Sequence, residues 1–376
     1  MSDFEIIDIH TDNIESELKI IGFDEGYRFV AVDKFMYKNL KIFNLNPAQA
    51  NILKQTALSA GADCATHRDV IKGTIEKSDV ILSGNISQLK KISQKLKQQP
   101  FGLKNLADNI NYFLEQRNKT RTKLVGILNI TPDSFSDGGK YIEPIDAQKH
   151  LLEMIEDGAD IIDIGAESTR PYSQPVSPAE QINRLKPILK FIQRENITIP
   201  ISIDTRSSEV ADFTLNNGAV IINDVSGLDY DTKLADIITK YNATLILQHS
   251  KGTPDIMQNE IKYHNLIEDI YFCLKQKTEY AKNIGIKNII IDPGIGFGKT
   301  KENNIEILDR IEDFLSLDYP IMVGISRKSF LGKDFDNDIK DALTLAYSYP
   351  LIKKGIDYLR VHNVKLHKNL INSLIG

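Results

Sequence analysis

The chain has 376 residues, of which 41% are hydrophobic and 26% charged, with a formal charge of −5. That length supplies one large domain and a smaller one, or two to three average ones, and the acidic balance gives no support to a nucleic-acid or anionic-membrane partner. The two cysteines, Cys64 and Cys273, are far apart and have no His or Cys at ligand spacing, which argues against a disulfide framework or zinc site and for a reducing compartment.

The first residues, "MSDFEIIDIH", are acidic and lack the apolar core of a secretion signal, and no apolar run approaches the roughly 18 residues of a membrane span. A cytoplasmic protein is expected. Residues 1–120 mix apolar segments ("GYRFVAVDKF", "DVILSGNI") with helix-like ones ("PAQANILKQTALSAGA", "ISQLKKISQKLKQQ"), the pattern of a small α/β unit. The charge-rich stretch "LEQRNKTRTK", 114–123, reads as a junction, so the domains are placed at 1–120 and 121–376.

From Lys123 onward short β-branched runs alternate with helical segments. The runs are 124–131, 159–166, 199–205, 219–225, 243–249, 287–293, 319–326 and 357–363. Nearly continuous apolar character suits strands buried on both faces of a parallel sheet. Between them lie amphipathic stretches such as "AEQINRLKPILKFIQREN" and "IEDIYFCLKQKTEYAKN". Eight strand–helix units in roughly 250 residues are what a (β/α)8 TIM barrel requires. A doubly wound sheet is the rival, but no unit opens with its glycine fingerprint.

The strand ends carry Asn129, Glu167, Asp204, Asn223, His249, Asp292, Arg327–Lys328 and Arg360–His362. Strands that end at a surface account for some of these polar residues. In a barrel, however, all such ends converge on one face around one pocket. The stretch "IDPGIGFGKT", 291–300, looks like a phosphate-binding loop, but the required first glycine is Pro293, which has no N–H to offer. It reads instead as the loop after the sixth strand, with Asp292 pointing into the mouth.

The segments "LNITPDSFSDGG", "GAESTRP", "ISIDTR", "INDVSGL", "DPGIGFGK", "SRKSFLG" and "RVHNV" together resemble the signature set of the dihydropteroate synthase family, over about residues 123–376. The resemblance implies a reaction in folate synthesis: 6-hydroxymethyl-7,8-dihydropterin pyrophosphate and p-aminobenzoate give dihydropteroate and pyrophosphate. It implies Mg²⁺ as cofactor, a homodimer and a sulfonamide target. It also implies three subsites. Asp292, with Asp204, Asn223 and Lys328, binds the pterin, since a carboxylate accepts the side-by-side N–H groups of its pyrimidine edge. Capping of the next helix is the bland alternative for Asp204 or Asn223. Arg170, Arg360 and His362 hold the pyrophosphate, with Asn129 as a protein ligand to Mg²⁺, a hard cation that keeps waters. Thr169, Pro171, Phe297, Lys328 and Ser329 receive p-aminobenzoate, and Phe135 in the first loop closes over it. Phe297 could equally anchor its helix.

No pairing of nucleophile and base is evident, so the chemistry is expected to be dissociative. Asp204 and Asp292 would stabilise a cationic pterin, and Arg170, Arg360, His362 and Mg²⁺ the departing anion. Asp137 would support the closed first loop. Arg360→Ala is accordingly expected to weaken the pyrophosphate substrate while sparing free pterin. The chain departs from the family at Gln248 and Ser250, where Met is common, and at Asn363, where Asp is common. Two other readings remain open: a methyltetrahydrofolate-binding methyltransferase barrel, and a catalytically silent paralogue. For residues 1–120 packing or protein interaction is the modest reading, beside partner docking or a second enzyme.

Overall fold

The computed structural model describes residues 5–115, 121–131, 144–167, 175–251 and 262–375. The chain divides into two compact units, Met1–Asn118 and Lys119–Gly376, each with its own apolar core.

The first unit contains α1 (Ile14–Ile20), α2 (Arg28–Val32), β1 (Tyr37–Leu45), α3 (Pro47–Ser59), β2 (Asp63–Thr66), β3 (Ser78–Asn85), α4 (Ile86–Leu96) and α5 (Leu103–Leu114). β3 is central, antiparallel to β1 on one side and to β2 on the other. Val80 and Leu82 of β3 are buried while Asp79 and Ile81 are exposed, so the sheet buries one face only. Leu53, Leu89, Ile92 and Leu96 from α3 and α4 join Leu82 in this core. Capping boxes start both helices, Asn46 with Gln49 and Asn85 with Gln88. The expected α/β unit is present. One detail differs: "GYRFVAVDKF" contributes the short helix α2, and the first strand follows it.

The second unit alternates β4 (Lys123–Asn129), α6 (Pro144–Glu156), β5 (Ile161–Gly165), α7 (Pro178–Arg194), β6 (Ile201–Asp204), α8 (Ser208–Leu215), β7 (Ile221–Asp224) and α9 (Leu234–Lys240). It continues with β8 (Thr244–Gln248), α10 (Leu266–Asn283), β9 (Asn288–Asp292), α11 (Lys301–Asp309), β10 (Met322–Gly324), α12 (Asn337–Lys354), β11 (Tyr358–Val361) and α13 (Val364–Ile375). The eight parallel strands run in the order β10-β11-β4-β5-β6-β7-β8-β9. A parallel bridge between Ile291 and Ile321, with Ile291 N–H donating to Pro320 O at 2.9 Å, joins the two ends. This is the closed (β/α)8 barrel that the alternation predicts.

Side chains on each strand alternate between the helical layer and the barrel interior. Outward residues such as Ile162, Ile203, Ile222, Leu245 and Ile291 pack against the helices. Inward, Val125, Ile161, Ile221, Ile246, Ile290 and Met322 form a separate apolar plug. Two residues further along the same inner faces the chemistry changes: Ile161 is followed by Asp163, Ile221 by Asn223, Ile246 by Gln248, Ile290 by Asp292. The register aligns Asp204 with Asn223, Gln248 with Asp292, and Gly324 with Arg360. The polar level therefore lies between the plug and the C-terminal rim.

Candidate active site

Four side chains of this level are almost wholly buried: Asp163 at 0%, Asn223 and Asp292 at 2% and Asp204 at 8% exposure. Arg360 enters from β11 and spans two carboxylates, Nε to Asp163 Oδ2 at 2.6 Å and Nη2 to Asp204 Oδ2 at 2.9 Å. Asn223 Nδ2 donates to the same Asp163 oxygen at 2.9 Å. One carboxylate thus orients both the guanidinium and the amide. Asp163 Oδ1, Asn223 Oδ1 and Ser202 Oγ are buried without a hydrogen-bond partner among the described residues. Unpaired polar atoms are costly in a core, and Asp163 and Asn223 keep acceptor capacity that their described neighbours do not use.

The charges are strongly perturbed. Burial pushes the Asp204 carboxyl up to about 7; Arg360 pulls the other way, and Asp163, Glu167 and Asp224 add to the rise. Burial also raises Asp292, against Lys328, the Gly294 N–H and Lys299. Lys328 is brought down to about 8 by burial, with Asp292 opposing. Burial works against the charge on Arg360, but Asp163 and Asp204 more than offset it. Two acids held up and one amine held down beside one another make this group the candidate functional site.

The loop after β9 shapes the adjoining wall. Gly294 has φ +72, and a Cβ there would stand 1.8 Å from His249 O, so only glycine lets the two loops meet. Its N–H donates to Asp292 Oδ1 at 2.7 Å. The Lys328 ammonium lies 4.7 Å from the Phe297 ring centroid and donates to Ile295 O. Lys328 follows Arg327, whose left-handed φ of 57 is held by a two-pronged pair with Asp341, both contacts 2.8 Å. His362 Nδ1 meets Ser326 Oγ at 2.9 Å. Asn129 is half-buried at the end of β4, and its Oδ1 lies 3.3 Å from where a side chain on Gly165 would begin.

The model of the family described as pterin binding enzyme matches residues 125–362. A dihydropteroate synthase of Clostridium beijerinckii is 45% identical over 249 residues, 65% of this chain and 90% of its own length. A bifunctional dihydropteroate synthase/dihydropteroate reductase of Helicobacter pylori is 33% identical over 371 residues, 96% of each chain. The crystal structure of a dihydropteroate synthase from Clostridium difficile, determined in the presence of pteroic acid, aligns with a TM-score of 0.62 at 39% identity. That alignment covers 68% of this chain and 97% of the other. The chain belongs to the dihydropteroate synthase family of pterin-binding enzymes. It is a transferase.

Within this synthase barrel Asp204, Asn223, Asp292, Lys328 and Arg360 share one mouth, linked by hydrogen bonds or by mutual perturbation of their ionisation. Arg360 sits with the carboxylates, not apart from them. Asn129, Phe297, Ser329 and His362 lie on the surrounding loops and strand ends, Ser329 exposed. Phe135, Asp137, Thr169, Arg170 and Pro171 lie outside the described residues. Asn363 Nδ2 donates to Asp341 at 3.3 Å, a role that a carboxylate at this position could not fill. Gln248 is buried at 4% exposure, its Nε2 3.4 Å from Val225 O.

Two residues escaped the sequence reading. Asp163 sits in mid-strand, in "IIDIG", where strand ends are the signal; its inward parity with Ile161 and Gly165 could have revealed it. Lys299 drew notice only as part of the failed phosphate-loop pattern, yet it is 3% exposed. Glu167, noted only as a strand end, accepts from Val176 N–H at 3.2 Å and from Arg206 Nη2 at 3.3 Å. It thus joins the end of β5 to Val176 ahead of α7 and to Arg206 after β6.

Proposed function

We propose that the barrel joins the methylene of 6-hydroxymethyl-7,8-dihydropterin pyrophosphate to the amine of p-aminobenzoate by a dissociative substitution, releasing pyrophosphate. The observation that carries this is the buried Asp292 beside Lys328. A carboxylate so far from water needs donors, and the pyrimidine edge of a pterin offers two adjacent N–H groups. Asn223 Oδ1, without a partner in the wall, supplies another acceptor. Lys328 reaches ring acceptors from the opposite side.

As the carbon–oxygen bond to pyrophosphate lengthens, positive charge spreads into the pterin ring. Asp292 and Asp204 stabilise it without moving, which is preorganised electrostatics. The free amine of p-aminobenzoate, laid along Phe297 with its carboxylate towards Lys328 and Ser329, attacks the methylene and then loses a proton to solvent. His362 and Arg170 take the leaving anion, and Arg360 reaches it from its seat on Asp163 and Asp204. A neutral oxygen ligand beside a glycine suits Mg²⁺, so Asn129 would hold that ion, which neutralises phosphate charge when bound. We place this reaction in the cytoplasm and in a homodimer. No helix among the described residues is long and apolar enough to cross a membrane.

Mixing the protein with both substrates and Mg²⁺ should release pyrophosphate and dihydropteroate in equal amounts. Pterin binding without product would favour a silent paralogue.

A second reading draws on the Helicobacter pylori likeness, which spans both units: the chain also reduces its product. Incubating dihydropteroate with the full chain and a hydride donor, reduced nicotinamide or reduced flavin, should yield tetrahydropteroate by mass. No reduction with either donor removes this reading and leaves the synthase reading intact.

A further inference from the structure

Lys299 lies between β9 and α11, on the loop that carries Gly294 and Phe297. Its ammonium donates to His249 Nδ1 at 2.9 Å, Phe297 O at 3.0 Å and His249 O at 3.4 Å. An ammonium has three N–H groups, and these three acceptors use them all. His249 follows β8, and its own N–H donates to Asp292 O at 2.8 Å. Phe297 N–H donates to Gly294 O at 3.1 Å, within the turn that also feeds Asp292 Oδ1. A single cation therefore brackets the end of β8, the backbone of the pterin-binding carboxylate and the carbonyl of Phe297. The glycine of the preceding residue permits this closeness: a Cβ on Gly298 would stand 2.7 Å from Lys251 O.

Burying an ammonium is expensive, and this one is compensated by two carbonyls and an imidazole rather than by a contacting carboxylate. Burial brings Lys299 down to about 7, with Asp292 opposing the fall. Burial, reinforced by Lys299, keeps His249 well below its usual range, so the imidazole is neutral, and Nδ1, which faces the ammonium, takes the acceptor role. Nothing in the transfer reaction calls on Lys299 directly, since its donors are occupied.

We propose that Lys299 is a positioning residue that fixes the Phe297 wall against the pterin carboxylate and thereby sets the affinity for the aromatic amine substrate. The inference rests on the synthase reading. In Lys299→Met the side chain keeps its length, but three acceptors are left buried and unpaired; they would relax towards water and carry Phe297 with them.

Steady-state kinetics on the full chain, varying each substrate in turn, test this. Lys299→Met should raise KM for p-aminobenzoate about tenfold and leave affinity for the pterin substrate within about twofold, the pattern of a lost ground-state contact to one partner. Because Lys299 acts through Phe297, the double variant Lys299→Met/Phe297→Ala should bind p-aminobenzoate no worse than Phe297→Ala alone. A residue that merely holds the fold would lower the thermal midpoint, move both substrates alike and give additive effects. Unchanged KM, or additivity in the cycle, overturns the proposal. Lys299→Gln, whose amide restores two donors, should fall between the parent and Lys299→Met. Failure of both variants to fold also overturns it, since the stated role needs a folded barrel that has lost only this affinity. The parent is assayed first: no dihydropteroate from it refutes the synthase reading, whereas normal turnover with an unmoved KM in the variants refutes this inference alone.

Discussion

Two levels of the same barrel, only two residues apart along β5, β7, β8 and β9, behave as different materials. At the lower level Val125, Ile161, Ile221, Ile246, Ile290 and Met322 exclude water and close the barrel. At the upper level Asp163, Asn223, Asp204 and Asp292 are as buried as the plug but polar, three of them carboxyls, and the half-buried Arg360 binds two of those. The lower level stabilises by apolar burial. The upper level carries desolvation costs that the lower one offsets, and it keeps unpaired acceptors that a core selected for stability alone would not retain. Stability and function are thus stacked along one axis.

The sharpest way to break this division is to put upper-level chemistry below. Ile246→Asp buries a carboxylate with no partner and should cost at least about 4 kcal/mol, enough to deplete folded protein in a thermal melt. A folded variant with ordinary kinetics would show that the plug is not the stabilising level. Next in size is Asp163→Asn, which keeps the shape of the upper level but removes the charge that orients Arg360 and Asn223. Its turnover should fall roughly tenfold to a hundredfold, with a thermal midpoint moved far less than by Ile246→Asp. Parent-like turnover would leave Asp163 as packing only.

Smaller effects appear in pH. Asp204, held up to about 7, must lose its proton to stabilise a cationic ring, and Lys328, brought down to about 8, must keep its own. The rate should therefore rise with pH through the first ionisation and fall through the second, giving a narrow optimum. Asp163→Asn should move the acidic limb down, because Asp163 is one of the charges that raise Asp204. A limb that stays in place would assign it to another group. The same ionisation also acts on stability. A carboxyl raised in the folded chain contributes stability that is complete below its unfolded value, near 3.8, and is lost as pH rises through about 7. Asp204→Asn should flatten that part of the stability curve in chemical denaturation at several pH values; an unchanged slope would place the linkage elsewhere.

The barrel was legible in the sequence because strands buried on both faces leave unbroken apolar runs, and every one of the eight runs contains a strand. Its mouth was legible because strand ends announce themselves as polar residues after apolar ones: Asp204, Asn223 and Asp292 follow that rule. Asp163 broke it by standing inside a strand, where only the inner-face period separates a functional residue from a misplaced one. Lys299 was hidden for another reason. Its burial depends on the approach of the β8 loop, which no local pattern in "GFGKT" encodes. Arg360 was placed on the correct face by its spacing to His362, but its partners come from β5 and β6, nearly 200 and over 150 residues away. Sheet order fixes such pairings and sequence spacing does not. In the first unit, helices with capping boxes were readable, whereas the one-faced sheet, with half its side chains exposed, left a weaker trace.

The most direct test of the upper level is calorimetric binding of the dihydropterin pyrophosphate to the parent and to Asp292→Asn at equal thermal stability. An amide at this position turns one acceptor into a donor facing donors, so affinity should drop at least about a hundredfold while the thermal midpoint holds or rises. Equal affinity in the two proteins would contradict the assignment of Asp292 as the carboxylate that reads the pterin.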